Sequence, residues 1–428
     1  MRRRSLLGVA AAAGLAGAAA ACEDEPAAAP APAGAPPLIP TDWASVRAQF
    51  TIGADVAHLS TFVFAPHPAQ VRAAIERHRA GLDADPIGYL HENEARLDER
   101  VATAAAGYLG ARPDEIAFTD STTMGLGLLY SGLRLGRGDE VLTTEHDFYA
   151  THESLRLRAE RDGITVRRAR LYADPATAST DEIVGNLTRA VTGRTRVVAV
   201  TWVHSSTGVK LPIRAMADAL RDRDVPLCVD AVHGFGAEDA GPADLGCDFL
   251  VSGCHKWLLG PRGTGLVWGS AEGWARFTPV IPTFDGRSIG AWLGFAGGAP
   301  PPGPAATPGG YHSFEHRWAL AEAFDFHQAI GRERVAGRTR ELATALKEGL
   351  AGIGGITLAT PKSPELSAGL VCCQVPDVSV DEAVARLRGL KVVASATPYR
   401  PSLVRFGTTI VNREADVEAA LTAARTLV

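Results

Sequence analysis

Phe249-Leu250-Val251-Ser252-Gly253-Cys254-His255-Lys256 is the stretch that decides the fold. Three large apolar residues followed at once by small polar ones read as a strand buried on both faces that ends in a functional turn. A His-Lys pair alone is ordinary surface decoration. This one lies between an apolar strand and Trp257-Leu258-Leu259-Gly260-Pro261-Arg262-Gly263, a segment poor in charge, and that context sets it apart.

Four more apolar runs end in the same manner. Glu115-Ile116-Ala117-Phe118 runs into Asp120-Ser121-Thr122-Thr123-Met124-Gly125, and Glu140-Val141-Leu142 runs into Glu145-His146-Asp147. Arg196 to Val203 ends at His204-Ser205-Ser206-Thr207-Gly208, and Leu227-Cys228-Val229 ends at Asp230-Ala231-Val232-His233. From Thr41 to about Trp268 such runs alternate with helix-period segments, the signature of an α/β fold built from βα units around a mostly parallel sheet. Ligands in these sheets bind beyond the carboxyl ends of the strands, so the polar residues gathered there are the candidates.

They match the needs of pyridoxal 5′-phosphate (PLP). The hydroxyl-rich turn Ser121-Thr122-Thr123 enters a helix whose first backbone N–H groups are unpaired, and Thr122 and Thr123 are the expected phosphate ligands; an ordinary helix cap is the alternative. Asp230 is placed to keep a pyridine nitrogen protonated, so that the ring can absorb electrons. Lys256 is the expected Schiff-base lysine, nucleophilic when burial leaves its amine partly neutral. His146 can stack its flat ring on the cofactor, and His233 can hydrogen-bond the ring oxygen. No G-x-G-x-x-G follows a first strand, which disfavours a dinucleotide.

The chain has 428 residues, 46% of them hydrophobic, which is enough for one large domain and a smaller one. A formal charge of -5 without long single-sign runs argues against a nucleic-acid partner and leaves a small molecule. Six scattered cysteines make no disulfide framework, and no C-x-x-C suggests zinc; no metal is expected. Residues 1–22 read as an export signal: Arg3-Arg4-Ser5-Leu6-Leu7 before an Ala/Gly-rich run resembles a twin-arginine motif, the route for proteins exported already folded. A membrane enters only through Cys22, a possible lipidation site, although Ala19 stands where such sites usually have leucine. Residues 23–40 are a Pro/Ala-rich linker, 41–310 the N-terminal segment and large domain, and 311–428 a small C-terminal domain. Ala296 to Gly310 reads as an aperiodic surface loop. Phe314 to Leu350 reads as a long amphipathic helical pattern, followed by strands at Gly369–Cys373 and Leu403–Phe406 and a helix near Glu382 to Leu387.

These residues resemble the class V aminotransferase family of PLP enzymes, which includes cysteine desulfurases and isopenicillin N epimerase-like proteins. The resemblance covers roughly residues 55 to 420. It implies a type I PLP fold: a large domain on a mostly parallel seven-stranded sheet, a smaller α+β C-terminal domain, and a homodimer with active sites near its interface. On the matching motifs it implies Thr122, Thr123, Ser205 and His255 as cofactor contacts, His146 as the stacking ring, Asp230 as the pyridinium partner, His233 at the ring oxygen and Lys256 as the Schiff-base lysine. It also implies that Arg405, in Val404-Arg405-Phe406-Gly407-Thr408, clamps an amino-acid-like substrate's α-carboxylate.

Departures from the family pattern bear on the reaction. Desulfurases carry a nucleophilic cysteine shortly before this arginine, and Val392 to Leu403 has none. Ser205 stands where desulfurases tend to have asparagine; with Asp85-Pro86 and Leu97-Asp98-Glu99-Arg100 it leans toward the epimerase branch. The Gly-Thr that many relatives use to reach the partner subunit's phosphate is missing at Phe314-Glu315-His316-Arg317-Trp318, where His316 or Arg317 could substitute. The resulting expectation is epimerisation or transamination at an α-carbon. The alternatives are a carbon–sulfur lyase without a loop cysteine and a ligand-binding protein without turnover. Tyr89, His91, Arg287 and Tyr311 are candidates for the substrate pocket.

Overall fold

A computed structural model of the chain describes residues 36–295 and 298–428. The expected export signal, Cys22 and most of the expected linker lie outside the described residues. The central sheet has seven strands: β1 (Ile116–Thr119), β2 (Glu140–Thr144), β3 (Thr165–Ala169), β4 (Thr195–Thr201), β5 (Leu227–Asp230), β6 (Phe249–Gly253) and β7 (Gly265–Gly269). Their order is β1-β7-β6-β5-β4-β2-β3. Only β7 runs against its neighbours β1 and β6. Since β1 and β6 both oppose β7, they point the same way, and the carboxyl ends of β1, β2, β4, β5 and β6 share one edge of the sheet.

Side chains alternate between two apolar layers. Val198, Val200, Val229 and Leu250 enter one core; Val197, Ala199, Cys228, Phe249 and Val251 enter the other. Burial on both faces explains why β5 and β6 read as unbroken apolar runs. Helices α1 (Ala69–Ala84), α2 (Pro86–Leu109), α3 (Thr122–Gly132), α4 (Phe314–Ile330) and α5 (Arg332–Ala351) frame the site. The long pattern from Phe314 is two helices, broken at Gly331, whose φ of 94° no helix accommodates.

A second, antiparallel sheet contains β8 (Thr357–Leu358), β9 (Leu370–Gln374), β10 (Ser395–Ala396) and β11 (Val404–Gly407), in the order β10-β11-β9-β8. It shares a core with α5 through Leu342, Leu346, Val371, Cys373, Val404 and Phe406. Cys372 and Cys373 are buried strand residues. The segment expected to be wholly aperiodic, Ala296 to Gly310, contains a helical turn at Pro302–Ala306. Prolines suit a first helical turn, and Gly303 lets that turn lie directly on β1, where a Cβ would come 2.5 Å from the Ile116 backbone.

Candidate active site

Lys256 emerges just beyond β6, where the chain turns back toward β7. Its Nζ lies 3.5 Å from His233 Nε2. Burial lowers its pKa to about 8, opposed by the charge of Asp230 and aided by that of Arg405. Asp230 ends the neighbouring strand β5 and is 1% exposed. Burial raises its carboxyl to about 6, against a 3.0 Å hydrogen bond from Val232 N–H to Oδ1 and the charge of Lys256. The two groups are an electrostatic pair across adjacent strand ends, each favouring the other's ionised form.

Beyond β1, Ser121 is the helix cap: its Oγ accepts from Met124 N–H at 3.1 Å. That leaves Thr122 for another task. Its Oγ1 accepts from Gly253 N–H at 2.7 Å, so its own proton is free to donate. Gly253 makes this approach possible, because a Cβ there would lie 2.8 Å from His255 Cε1 and 3.1 Å from Thr122 Oγ1. His255 Nδ1 is buried in this cradle without a partner among the described residues. Thr123 is exposed on the same first turn of α3. A hydroxyl, an orphaned ring nitrogen and a helix N-terminus converge as a phosphate requires.

Beyond β2, the His146 ring stacks on Tyr172 with centroids 4.2 Å apart and planes 9° from parallel. Its Nε2 is buried and unpaired among the described residues. Tyr172 is held in turn, with its Oη 2.9 Å from His204 Nδ1 and 3.0 Å from Thr207 Oγ1. Asp147 pins the two strand ends together: it accepts from Thr143 Oγ1 (2.6 Å), Thr144 N–H (2.7 Å) and Thr201 N–H (2.7 Å).

Beyond β4, Ser205 joins the second sheet. Its carbonyl accepts from Arg405 Nη1 at 3.1 Å, and its Oγ lies 2.8 Å from Tyr399 Oη. Arg405 is 7% exposed, donates from Nε to Ser395 Oγ at 3.2 Å and lies 4.9 Å over the Phe62 ring. No carboxylate lies within 4.0 Å of it among the described residues. A buried guanidinium without a counter-ion is chemically suited to pair with a carboxylate.

The structure therefore brings Lys256, Asp230, His233, His146, Ser205 and Arg405 to one edge, with Thr122, Thr123 and His255 beside them. It does not bring in the four candidates for the substrate pocket. Tyr89 bonds His78 Nδ1 at 3.0 Å and packs on Trp318, while His91, Arg287 and Tyr311 are exposed on this chain. His316 Nδ1 meets the Arg262 carbonyl at 2.9 Å, and Arg317 is buried over Phe118. Sequence reasoning missed Trp257, Tyr172, Asp147 and Tyr399. Asp147 and Trp257 stood beside flagged residues and could have been found; Tyr172 lies in a half-polar stretch with no local signal.

These residues fit PLP. The cradle at Gly253, the unpaired nitrogens of His255 and His146, and the acid–amine pair supply every type of contact that a phosphorylated pyridine aldehyde needs.

A family model described as aminotransferase class-V matches residues 65–419. The isopenicillin N epimerase of Amycolatopsis lactamdurans is 30% identical over 403 residues, covering 89% of this chain and 97% of that protein. A probable cysteine desulfurase of Mycobacterium leprae is 27% identical over 351 residues, covering 77% and 80%. Among solved structures, the cystine C–S lyase C-DES, in complex with its reaction product cysteine persulfide, superposes with a TM-score of 0.80 at 21% identity. That likeness spans 87% of this chain and 98% of the lyase, and it speaks to the fold.

Proposed function

The chain belongs to the class V aminotransferase family, and from that premise we propose that it is a PLP-dependent enzyme acting at the α-carbon of an amino acid or amino-acid-containing small molecule, with isopenicillin N epimerase-like chemistry. The observation that carries this reading is Arg405: a buried cation without a counter-ion among the described residues, on the same sheet edge as Lys256 and Asp230.

When bound, PLP supplies an electrophilic aldehyde and an electron sink that make the α-proton of an amino acid removable. The chain's residues do the rest. Thr122, Thr123, His255 and the first amides of α3 would hold the phosphate. Asp230 would keep a proton on the ring nitrogen, His146 would cover a ring face, and His233 would hydrogen-bond the ring oxygen. Lys256, with its pKa lowered to about 8, holds a larger share of free amine near neutral pH than an ordinary lysine and can move a proton at Nζ. Arg405 fixes the substrate carboxylate, so that the α-carbon meets the amine in one orientation. Tyr399 stands in the loop where desulfurases carry their nucleophilic cysteine, which supports chemistry other than standard desulfuration.

The proposal extends to assembly and location. Phe284, Trp292, Phe295 and Tyr311 are 62%, 83%, 58% and 85% exposed, an apolar display that supports a homodimer covering this face. The twin-arginine-like start supports export of the folded, PLP-loaded protein.

Incubating the purified protein with a panel of amino acids in deuterated water tests the activity. Deuterium entering the α-position, with inversion and no net loss of amino acid, is expected. Ketoacid and sulfide would instead establish the carbon–sulfur lyase; a cofactor spectrum that no amino acid perturbs would establish a binding protein without turnover.

A further inference from the structure

Trp257 follows the lysine directly, and its indole occupies a slot in the interior, 3% exposed. Gly369 supplies the space, since a Cβ there would lie 2.5 Å from the indole's Cη2 and Cζ3. Phe62 stacks against it, centroids 5.8 Å apart and planes 22° from parallel. Held in this way, the indole Nε1–H donates to His233 Nδ1 at 3.1 Å. An indole nitrogen only donates, so the Nδ1 that it meets carries a lone pair. A neutral imidazole with a bare Nδ1 keeps its proton on Nε2, and Nε2 is the atom 3.5 Å from Lys256 Nζ.

We propose that Trp257 is a positioning residue that locks His233 as its Nε2–H tautomer, so that a donor of fixed direction always faces Lys256. Two other features push the same way. Burial, with the positive charges of Lys256 and Arg405, keeps His233 well below its ordinary pKa. A proton on Nδ1 would also oppose the indole proton directly. The lock has a chemical consequence at the lysine: an N–H donor matches the lone pair of a free amine and conflicts with an ammonium. Without the indole N–H, His233 is free to take the Nδ1–H form. A lone pair then faces Nζ, and the ammonium is favoured.

This inference deepens the PLP reading and rests on it for its consequence, but the tautomer exists without cofactor. Nitrogen-15 NMR of the full-length protein, histidine-labelled and measured before and after PLP is added, separates the two. In the wild-type protein the His233 resonances, assigned by their loss in His233→Gln, should show a protonated Nε2 and a bare Nδ1. Trp257→Phe keeps the ring and removes the donor. It should give a mixture of tautomers, and in the cofactor-free protein it should raise the pH midpoint for PLP capture by about one unit, the size expected for one hydrogen bond. A wild-type Nδ1–H tautomer overturns the proposal whether or not the variant folds. So does an unchanged tautomer and midpoint in Trp257→Phe. A tautomer that responds to Trp257→Phe in a protein that takes up no PLP leaves the lock standing and removes the cofactor reading.

Discussion

Ser205 Oγ and Tyr399 Oη lie 2.8 Å apart and share a hydrogen bond, joining the end of β4 to the loop between β10 and β11. Ser205 also gives its carbonyl to Arg405, so one residue ties that loop to the guanidinium assigned to the substrate carboxylate. Tyr399→Phe removes this tie. At a net value of about 0.5–1.5 kcal/mol for one hydrogen bond, KM for the amino acid should rise roughly two- to tenfold with kcat little changed. Steady-state kinetics decide; an unchanged KM would reduce Tyr399 to packing.

Arg405→Lys keeps the charge and loses the planar fork that grips two carboxylate oxygens. Hydrogen bonds to charged groups are worth roughly 1.5–3 kcal/mol, so KM should rise roughly 10- to 100-fold. The cofactor's absorbance should persist. A protein that loses its cofactor instead would transfer Arg405 from substrate binding to cofactor binding.

Lys256 reacts only as the amine. Burial lowers its pKa to about 8, so ammonium dominates below that value and amine above it. The rate at which cofactor-free protein captures PLP should climb with pH and level off past about 8, as stopped-flow absorbance can follow. A midpoint at the ordinary lysine value would contradict the burial argument.

Asp230→Asn removes the charge proposed to face the ring nitrogen. An opposite charge at close range shifts a pKa by roughly 1–3 units, so α-deuterium exchange should slow roughly 10- to 1000-fold. Asp230 also raises the pKa of Lys256, so the capture midpoint should fall in the same variant. Opposite movement of that midpoint would separate the two residues.

Asp147→Ala tests architecture rather than chemistry. It strands the Thr143 hydroxyl and the Thr144 and Thr201 amides in the interior. At roughly 1–3 kcal/mol for each buried unsatisfied group, the loss should be at least about 3 kcal/mol, read from urea unfolding. A stability equal to wild type would mean that water reaches those donors.

The parallel core was legible because burial on both faces leaves a plain trace: Leu227-Cys228-Val229 and Phe249-Leu250-Val251 admit few other readings. β3 left no such trace. It is an edge strand, and Arg167 and Arg168 sit on it because one side meets solvent. The helical turn at Pro302–Ala306 was hidden by its prolines, which local propensity assigns to loops, while contact with β1 decides the outcome. In the site, residues at strand ends were readable one strand at a time. The links between strands were not: Ser205 to Tyr399 spans 194 positions, and Trp257 to His233 depends on a slot opened by Gly369. Such pairings belong to the tertiary fold and have no local signature.

Borohydride reduction of the PLP-treated protein, followed by mass mapping of its peptides, is the most direct measurement. Reduction should fix one pyridoxyl group per chain on Lys256, in the peptide containing His255 and Trp257, and Lys256→Ala should carry none. A pyridoxyl group on another lysine, or none at all on the wild-type chain, would contradict the account.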